Sequence, residues 1–281
     1  MAISNFVPAL WSGVILKAFE KAFVYAGLVN KDYEGEIRGP GDRVRVATMN
    51  NVAVRAYTKG EDITFDGIDG TYQDLIIDQA KYWALKLEDI DALQAKPALM
   101  AESVRLAGVA IADTVDQYVA GLMVAGAGLK TNLGDDTTPL EIDSVAVTDL
   151  LALIGEKLDT ANVPRVGRWI VLPPWGVKKL TLAKLARDTA NSEALASGYV
   201  GRYLGFDVHM SPNVPNTAGA KWKVLAGTNA GLTFADQIAK TEALRLEKSF
   251  SDGMRGLYVY AGKVVRSTAL ALATCNEAAE V

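Results

Sequence analysis

Between Pro97 and Val124, apolar side chains recur at Met100, Val104, Ala107, Ile111, Val115, Tyr118 and Leu122. Steps of three and four residues keep them on one face of an α-helix. Pro97 suits the first helical position, where its missing N–H costs nothing. At 1.5 Å per residue the element is a rod of roughly 40 Å. Glu102, Arg105, Asp113 and Asp116 fall outside the stripe, and Gly126 and Gly128 end it. Everything else in the chain has to be arranged around this rod.

Upstream lies a segment patterned to project. Gly39, Pro40 and Gly41 break the chain before "RVRVATM", in which Val44 and Val46 share a face. Alternation resumes with Val52 and Val54 on one face and Arg55, Tyr57 and Lys59 on the other. Asp66-Gly67 and Asp69-Gly70 are turn dipeptides, and a returning strand runs through Leu75 and Ile77. The pattern predicts a long hairpin with polar flanks, a loop that projects rather than packs at home. Earlier still, Trp11, Ile15, Phe19 and Phe23 repeat at helical spacing between Pro8 and Ala26. That stripe suits either a helix packed on its own subunit or a strip lying on a neighbour.

Downstream, "GLKTNLGDDTTPLEID" is a turn-rich connection. A helix is expected from Ser144 to Leu158, then the apolar strand "RWIVLP" and a second helix after Pro174. A loop from Asp188 to Gly198 leads to the strand "FDVHMS", and Trp222 to Ala226 reads as another strand. This is an α/β unit of roughly eighty to ninety residues, a reasonable domain size. "TEALRLEKSF" and "GMRGLYVYAGKVVRSTALALA" return to strand character, with a turn expected at Gly262. No internal repeat or low-complexity tract appears.

Composition narrows the function classes. The 281 residues are 50% hydrophobic and 22% charged, enough for a substantial core. A net charge of −4 with scattered Lys and Arg forms no basic stripe for reading nucleic acid. Cys275 is the only cysteine, so an intrachain disulfide is excluded and a reducing compartment is expected. The first residues lack a basic leader, and Lys17, Glu20 and Lys21 interrupt them before a membrane-spanning length. A soluble protein made in the cytoplasm is the expectation.

Catalytic constellations are missing. His209 is the sole imidazole and lies in a strand beside Asp207, on the face opposite Phe206 and Val208. One His and one Cys offer no zinc-ligand spacing. "GYVGRYLG" has glycines at 198, 201 and 205, the wrong spacing for a dinucleotide loop, and a strand follows instead of a helix. Asp66 and Asp69 lack a calcium loop's ladder of oxygens. Glu88, Asp89 and Asp91 read as a solvated helix start, and Lys59 with Asn50 or Asn51 has no carboxylate to drive an isopeptide bond. No enzyme activity, cofactor or metal is expected.

Four stretches resemble the major capsid proteins of tailed bacteriophages, those with the Hong Kong 97 type fold. "GPGDRVRVATM" is similar to the entry into that family's extended loop. "LIIDQAKYWALKLEDIDALQAKP" resembles the segment that closes the loop and leads into the long spine helix. "GRYLGFDVHMSPNVP" resembles the glycine-and-aromatic turn and strand late in the axial domain, and "GLYVYAGKVVRSTALALA" the closing strands of the peripheral domain. Their order and spacing extend over nearly the whole chain.

The resemblance implies an α+β capsid fold in four parts: an N-arm over 1–43; an extended β-hairpin loop over 44–80; a peripheral domain over 81–139 and 240–281, with its spine helix at about 97–124; and an axial domain over 140–239. It implies a structural role, with copies forming hexamers and pentamers in an icosahedral shell around double-stranded DNA. The partners implied are further copies of the chain, a portal protein at one vertex and DNA held without sequence preference. The early start of the loop points to a separate scaffolding protein; a decoration protein is a further possible partner. The expected location is the virion, after assembly in the host bacterial cytoplasm. An encapsulin-type nanocompartment shell is the alternative within the fold, and a nucleotide-dependent enzyme the alternative outside it. Intersubunit contacts are expected at Arg55, Lys59, Glu61 and Asp62 on the loop and at Trp11 and Phe19 on the arm. Gly198, Gly201 and Gly205 are expected to permit a turn into the following strand.

Overall fold

The computed structural model describes residues 24–32, 43–49, 54, 56, 59, 70–88, 97–183, 199–246 and 251–279. Twelve strands are assigned among them: β1 (Arg43–Met49), β2 (Gly70–Ile76), β3 (Gln79–Glu88), β4 (Leu140–Ile142), β5 (Arg168–Leu172), β6 (Tyr199–Tyr203), β7 (Phe206–Met210), β8 (Asn216–Thr217), β9 (Lys221–Thr228), β10 (Leu232–Arg245), β11 (Ser251–Val264) and β12 (Leu270–Glu277). The α-helices among the described residues are α1 (Pro97–Gly126), α2 (Ala146–Thr160) and α3 (Pro174–Leu182).

The strands form three sheets. β1 and β2 pair antiparallel, Arg43 opposite Ile76 and Met49 opposite Gly70, as the base of a hairpin. β10, β11 and β3 form a three-stranded antiparallel sheet. A seven-stranded mixed sheet runs β4-β12-β9-β5-β7-β6, with β8 beside β9.

The expected rod is α1, and it carries more than one apolar stripe. Ile111 and Val115 are buried, but so are Ala112, Val119, Ala120 and Met123, while Tyr118 and Leu122 are half-buried. The wider arc follows from the helix's position against both large sheets and the segment 24–29. Its core cluster joins Trp83, Tyr258 and Tyr260 of one sheet to Trp169, Val171 and Leu225 of the other. Tyr118 meets Tyr260 edge to face at 5.1 Å between ring centroids, the arrangement aromatic quadrupoles favour. Asp116, which the periodicity places off the apolar face, is buried.

A second core lies across the seven-stranded sheet. Leu150, Leu151, Ile154 and Leu158 of α2 pack with Ile170, Leu172, Val224 and Ala226. Successive residues of β5 therefore serve different cores, and all five are buried. A continuous apolar run is what a strand covered on both faces requires. The α2 start falls slightly later than expected. Asp143 Oδ1 accepts the N–H groups of Val145 and Ala146 at 2.8 and 2.7 Å, satisfying donors at the helix entry.

Two strand expectations are corrected. Gly262 makes no turn: β11 runs through it, opposite Phe234. A β-carbon there would lie 2.9 Å from Leu122 Cδ1, so the glycine lets α1 lie close on the strand. Leu270–Glu277, grouped above with the peripheral strands, pairs with β9 and β4 inside the seven-stranded sheet. Its first six residues are buried, as suits an interior strand. β10 also begins at Leu232, well before "TEALRLEKSF".

Candidate functional site

A chain without a catalytic constellation works through its surfaces and through what holds them in place. The first such element is the root of the N-terminal segment. Val24, Tyr25 and Ala26 lead into a short 3-10 helix (Tyr25–Gly27), and its free N–H groups converge on one carboxylate. Asp116 Oδ1 accepts from Tyr25 at 2.7 Å, Val24 at 3.1 Å and Ala26 at 3.4 Å. Burial pushes the Asp116 carboxyl up to about 6, against the lowering pull of these N–H groups. Further along, Asn30 N–H donates to Leu232 O at 3.0 Å, and Phe234 N–H to Asn30 O at 2.9 Å. The arm root is thus tied to the rod and to the start of β10.

The sequence around Asp116 carries a signal of its burial. Ala112 and Ala120 lie one turn on either side of it, and both are buried. Small residues around an acid on a helix leave room for another backbone to approach.

The second element is the hairpin. Its root is held by Leu75 and Ile77, buried with Ala235, Val259 and Ala261, and by Lys263 Nζ donating to Asp74 O at 2.8 Å. Beyond the paired strands, Val54, Ala56 and Lys59 are exposed, Val54 at 98%. Lys59 occupies a turn. The expected contact residues Arg55, Glu61, Asp62, Trp11 and Phe19 lie outside the described residues, as does Gly198.

The third element is the turn between β6 and β7. Gly205 has φ +84° and Gly201, at a bulge in β6, φ +151°. Leu204 sits between the strands at φ +47°, an unusual conformation for a branched side chain, and is 56% exposed. In β7, Phe206 and Val208 are buried while Asp207 and His209 are half-buried on the other face. Burial lowers the His209 imidazole below its ordinary value, with Asp207 opposing. Cys275 is buried, and desolvation pushes its thiol up to about 12, which makes it a poor nucleophile at neutral pH.

Buried polar ties keep the scaffold rigid. Arg168 reaches Asp159 at 2.7 Å and the carbonyls of Val163 and Pro164 at 2.6 and 3.0 Å. Lys179 Nζ donates to Ala278 O at 2.7 Å, and Lys223 pairs with Asp136 at 2.5 Å. Among the described residues, no group of three or more His, Cys, Asp or Glu could hold a metal, and no helix is long and apolar enough to cross a membrane.

A long helix between two sheets, a tethered segment at 24–30 and the paired β1–β2 hairpin base fit an architecture of the Hong Kong 97 type. The chain belongs to the phage capsid protein family, whose model matches residues 72–273. It is similar to a chain of Mycobacterium phage Che8 at 31% identity, with a TM-score of 0.70 over 89% of this chain and 90% of that one. The capsid chain of cyanophage P-SCSP1u shares the fold at 16% identity, TM-score 0.68, over 92% and 88%. So does the SrpI encapsulin of Synechococcus elongatus, at 12% identity, TM-score 0.61, over 91% and 88%. No curated protein matches by sequence. The family is structural, and the protein is a capsid component of the virion, not an enzyme.

Proposed function

We propose that the chain is the major capsid subunit of a tailed phage, assembling into hexamers and pentamers that close an icosahedral head around double-stranded DNA. The observation that carries this reading is the hairpin: its root is buried while Val54 beyond it is almost wholly exposed. Apolar side chains on a projecting loop find their cover on another copy. In this reading 1–43 is the arm, 44–80 the extended loop, and 81–139 with β10 and β11 the peripheral part. The axial part is 140–231 completed by β12. Arg55, Lys59, Glu61 and Asp62 on the loop and Trp11 and Phe19 on the arm meet neighbouring copies. Assembly in the host cytoplasm with a scaffolding protein, and a portal at one vertex, belong to the same proposal. The net charge of −4 supports weak, non-specific contact with packaged DNA.

Negative-stain microscopy of the purified protein tests the reading. Closed shells or capsomer rings are expected, and discrete small particles would overturn it. Nucleic acid inside particles from expressing or infected cells supports a virion; an enzyme cargo would make the shell an encapsulin-like compartment instead.

A further inference from the structure

The seven-stranded sheet ends in β4 on one side and β6 on the other, and among the described residues neither outer edge carries a further strand. The two edges are chemically unlike. Against β4, a groove of about 460 Å³ opens between the strand and α2. Its floor is apolar, with Leu140, Ile142 and Leu153, and Glu141, Asp149 and Glu156 stand along it. Glu141 Oε1 accepts from the Asn276 side chain at 3.0 Å and keeps its charge, so Glu141, Asp149 and Glu156 together make the groove acidic.

The opposite edge presents a knob. Leu204 is 56% exposed at positive φ, where glycine or asparagine would turn with less strain. Among the described residues, Leu204 belongs to none of the three apolar cores. Val166, 84% exposed, precedes β5 as Leu204 precedes β7, and the parallel pairing of Arg168 with Phe206 sets both at one end of the sheet. Arg202 flanks the knob with its side chain 57% exposed and only a long 3.8 Å approach to Asp207.

We propose that the Arg202–Gly205 turn of one copy docks in the β4–α2 groove of the next, Leu204 entering the apolar floor and Arg202 meeting Asp149 and Glu156. The occupant is a second copy because this chain carries both halves: an apolar knob with a cation and an apolar groove with carboxylates. The surfaces are different and lie on opposite edges, so the contact is head-to-tail, the kind that builds rings when its rotation closes, instead of a two-fold dimer. The inference rests on the capsid reading and names the contact that makes its capsomers.

The experiment uses the full chain under conditions in which the wild type assembles. Arg202→Glu and Glu156→Arg should each cut the yield of rings and shells at least tenfold by sedimentation velocity, and the double reversal should restore it. Leu204→Gly should raise the thermal midpoint of the unassembled subunit yet lose assembly. Leu204→Cys with Ala152→Cys, Ala152 being on the exposed side of the groove, should give a ladder of disulfide-linked oligomers on oxidation; buried Cys275 does not compete. If the wild type assembles but the reversals are silent and no ladder forms, the contact is wrong and the capsid reading stands. If the wild type forms neither rings nor shells, both fall.

Discussion

The N–H of Tyr25 donates to Asp116 Oδ1 at 2.7 Å, a bond that joins residues 91 positions apart in the chain. It fastens the root of the arm to helix α1, and two neighbouring N–H groups share the same oxygen. Removing the acceptor should therefore free the arm root before it affects either sheet. Asp116→Ala is expected to cost about 1–3 kcal/mol, the penalty for buried donors left unpaired. Amide hydrogen exchange at Val24, Tyr25 and Ala26 should accelerate far more than in β9 or β12. Asp116→Asn, which keeps an acceptor oxygen, should preserve most of the protection.

The same carboxylate gives a pH dependence with a defined sign. Its folded pKa of about 6 is above the unfolded value near 3.8, so the folded state binds the proton more tightly. Its contribution is fully present below the unfolded value and is lost as pH rises through about 6, by up to about 3 kcal/mol. His209 acts oppositely. Burial lowers its pKa, so protonation of the unfolded chain erodes stability as pH falls through about 6.5. Asp135, Asp136, Asp143 and Asp159 are held low by hydrogen bonds and ion pairs, and their loss falls below this window. Urea midpoints of wild type and Asp116→Asn between pH 4.5 and 7 isolate the contribution of Asp116, since the other groups are common to both. The wild type should gain on the variant as pH falls; parallel curves would refute the assignment.

Trp83 lies across Gly256 on the paired strand, with its Nε1 2.3 Å from where a β-carbon would stand. Gly256→Ala is expected to lose about 1–3 kcal/mol by overpacking. Shrinking the ring should recover part of it. Gly256→Ala combined with Trp83→Leu should thus be less destabilised than the two single changes summed, as read from thermal midpoints.

Arg168 is buried and holds two carbonyls as well as Asp159. Arg168→Lys keeps the charge but lacks the planar fork that spans those three acceptors. It should lose about 1–3 kcal/mol, nearly as much as Arg168→Met. A lysine variant with wild-type stability in urea would show that charge alone suffices.

Lys59 is exposed at a turn between β1 and β2. Reversing charge at Lys59 and Glu61 together should lower shell yield and flatten its dependence on salt, because surface pairs are screened over about 10 Å at 0.1 M. Light scattering across a salt series reads this directly. Unchanged assembly would remove the loop's charges from the intersubunit contact.

Much of the architecture was legible in local patterns. The three-and-four spacing from Ile111 to Leu122 defined the long helix, alternation from Val44 and through Leu75 and Ile77 defined the hairpin base, and the Phe206–Met210 alternation set His209 on the half-buried face. These features depend on neighbours a few residues away, which is what periodicity records. The absence of any ligand spacing around His209 and Cys275 likewise pointed away from chemistry and toward surfaces.

What tertiary structure decided was which apolar runs meet. Gly262 has the local look of a turn, yet the closeness of Leu122 on a distant helix makes it a strand residue. "LALATC" is equally apolar wherever it pairs, and only insertion between β4 and β9 assigns it to the larger sheet. Asp116 looks like a solvated helix residue until the backbone of Val24–Ala26 arrives from the far end of the chain. A helical stripe shows that a face will be covered; it does not show by what. The amino-acid order by itself determined the rod, the hairpin and the structural character of the protein. The partners of each buried face were set by long-range packing, because burial free energy depends on the area covered and is blind to the sequence distance of the cover.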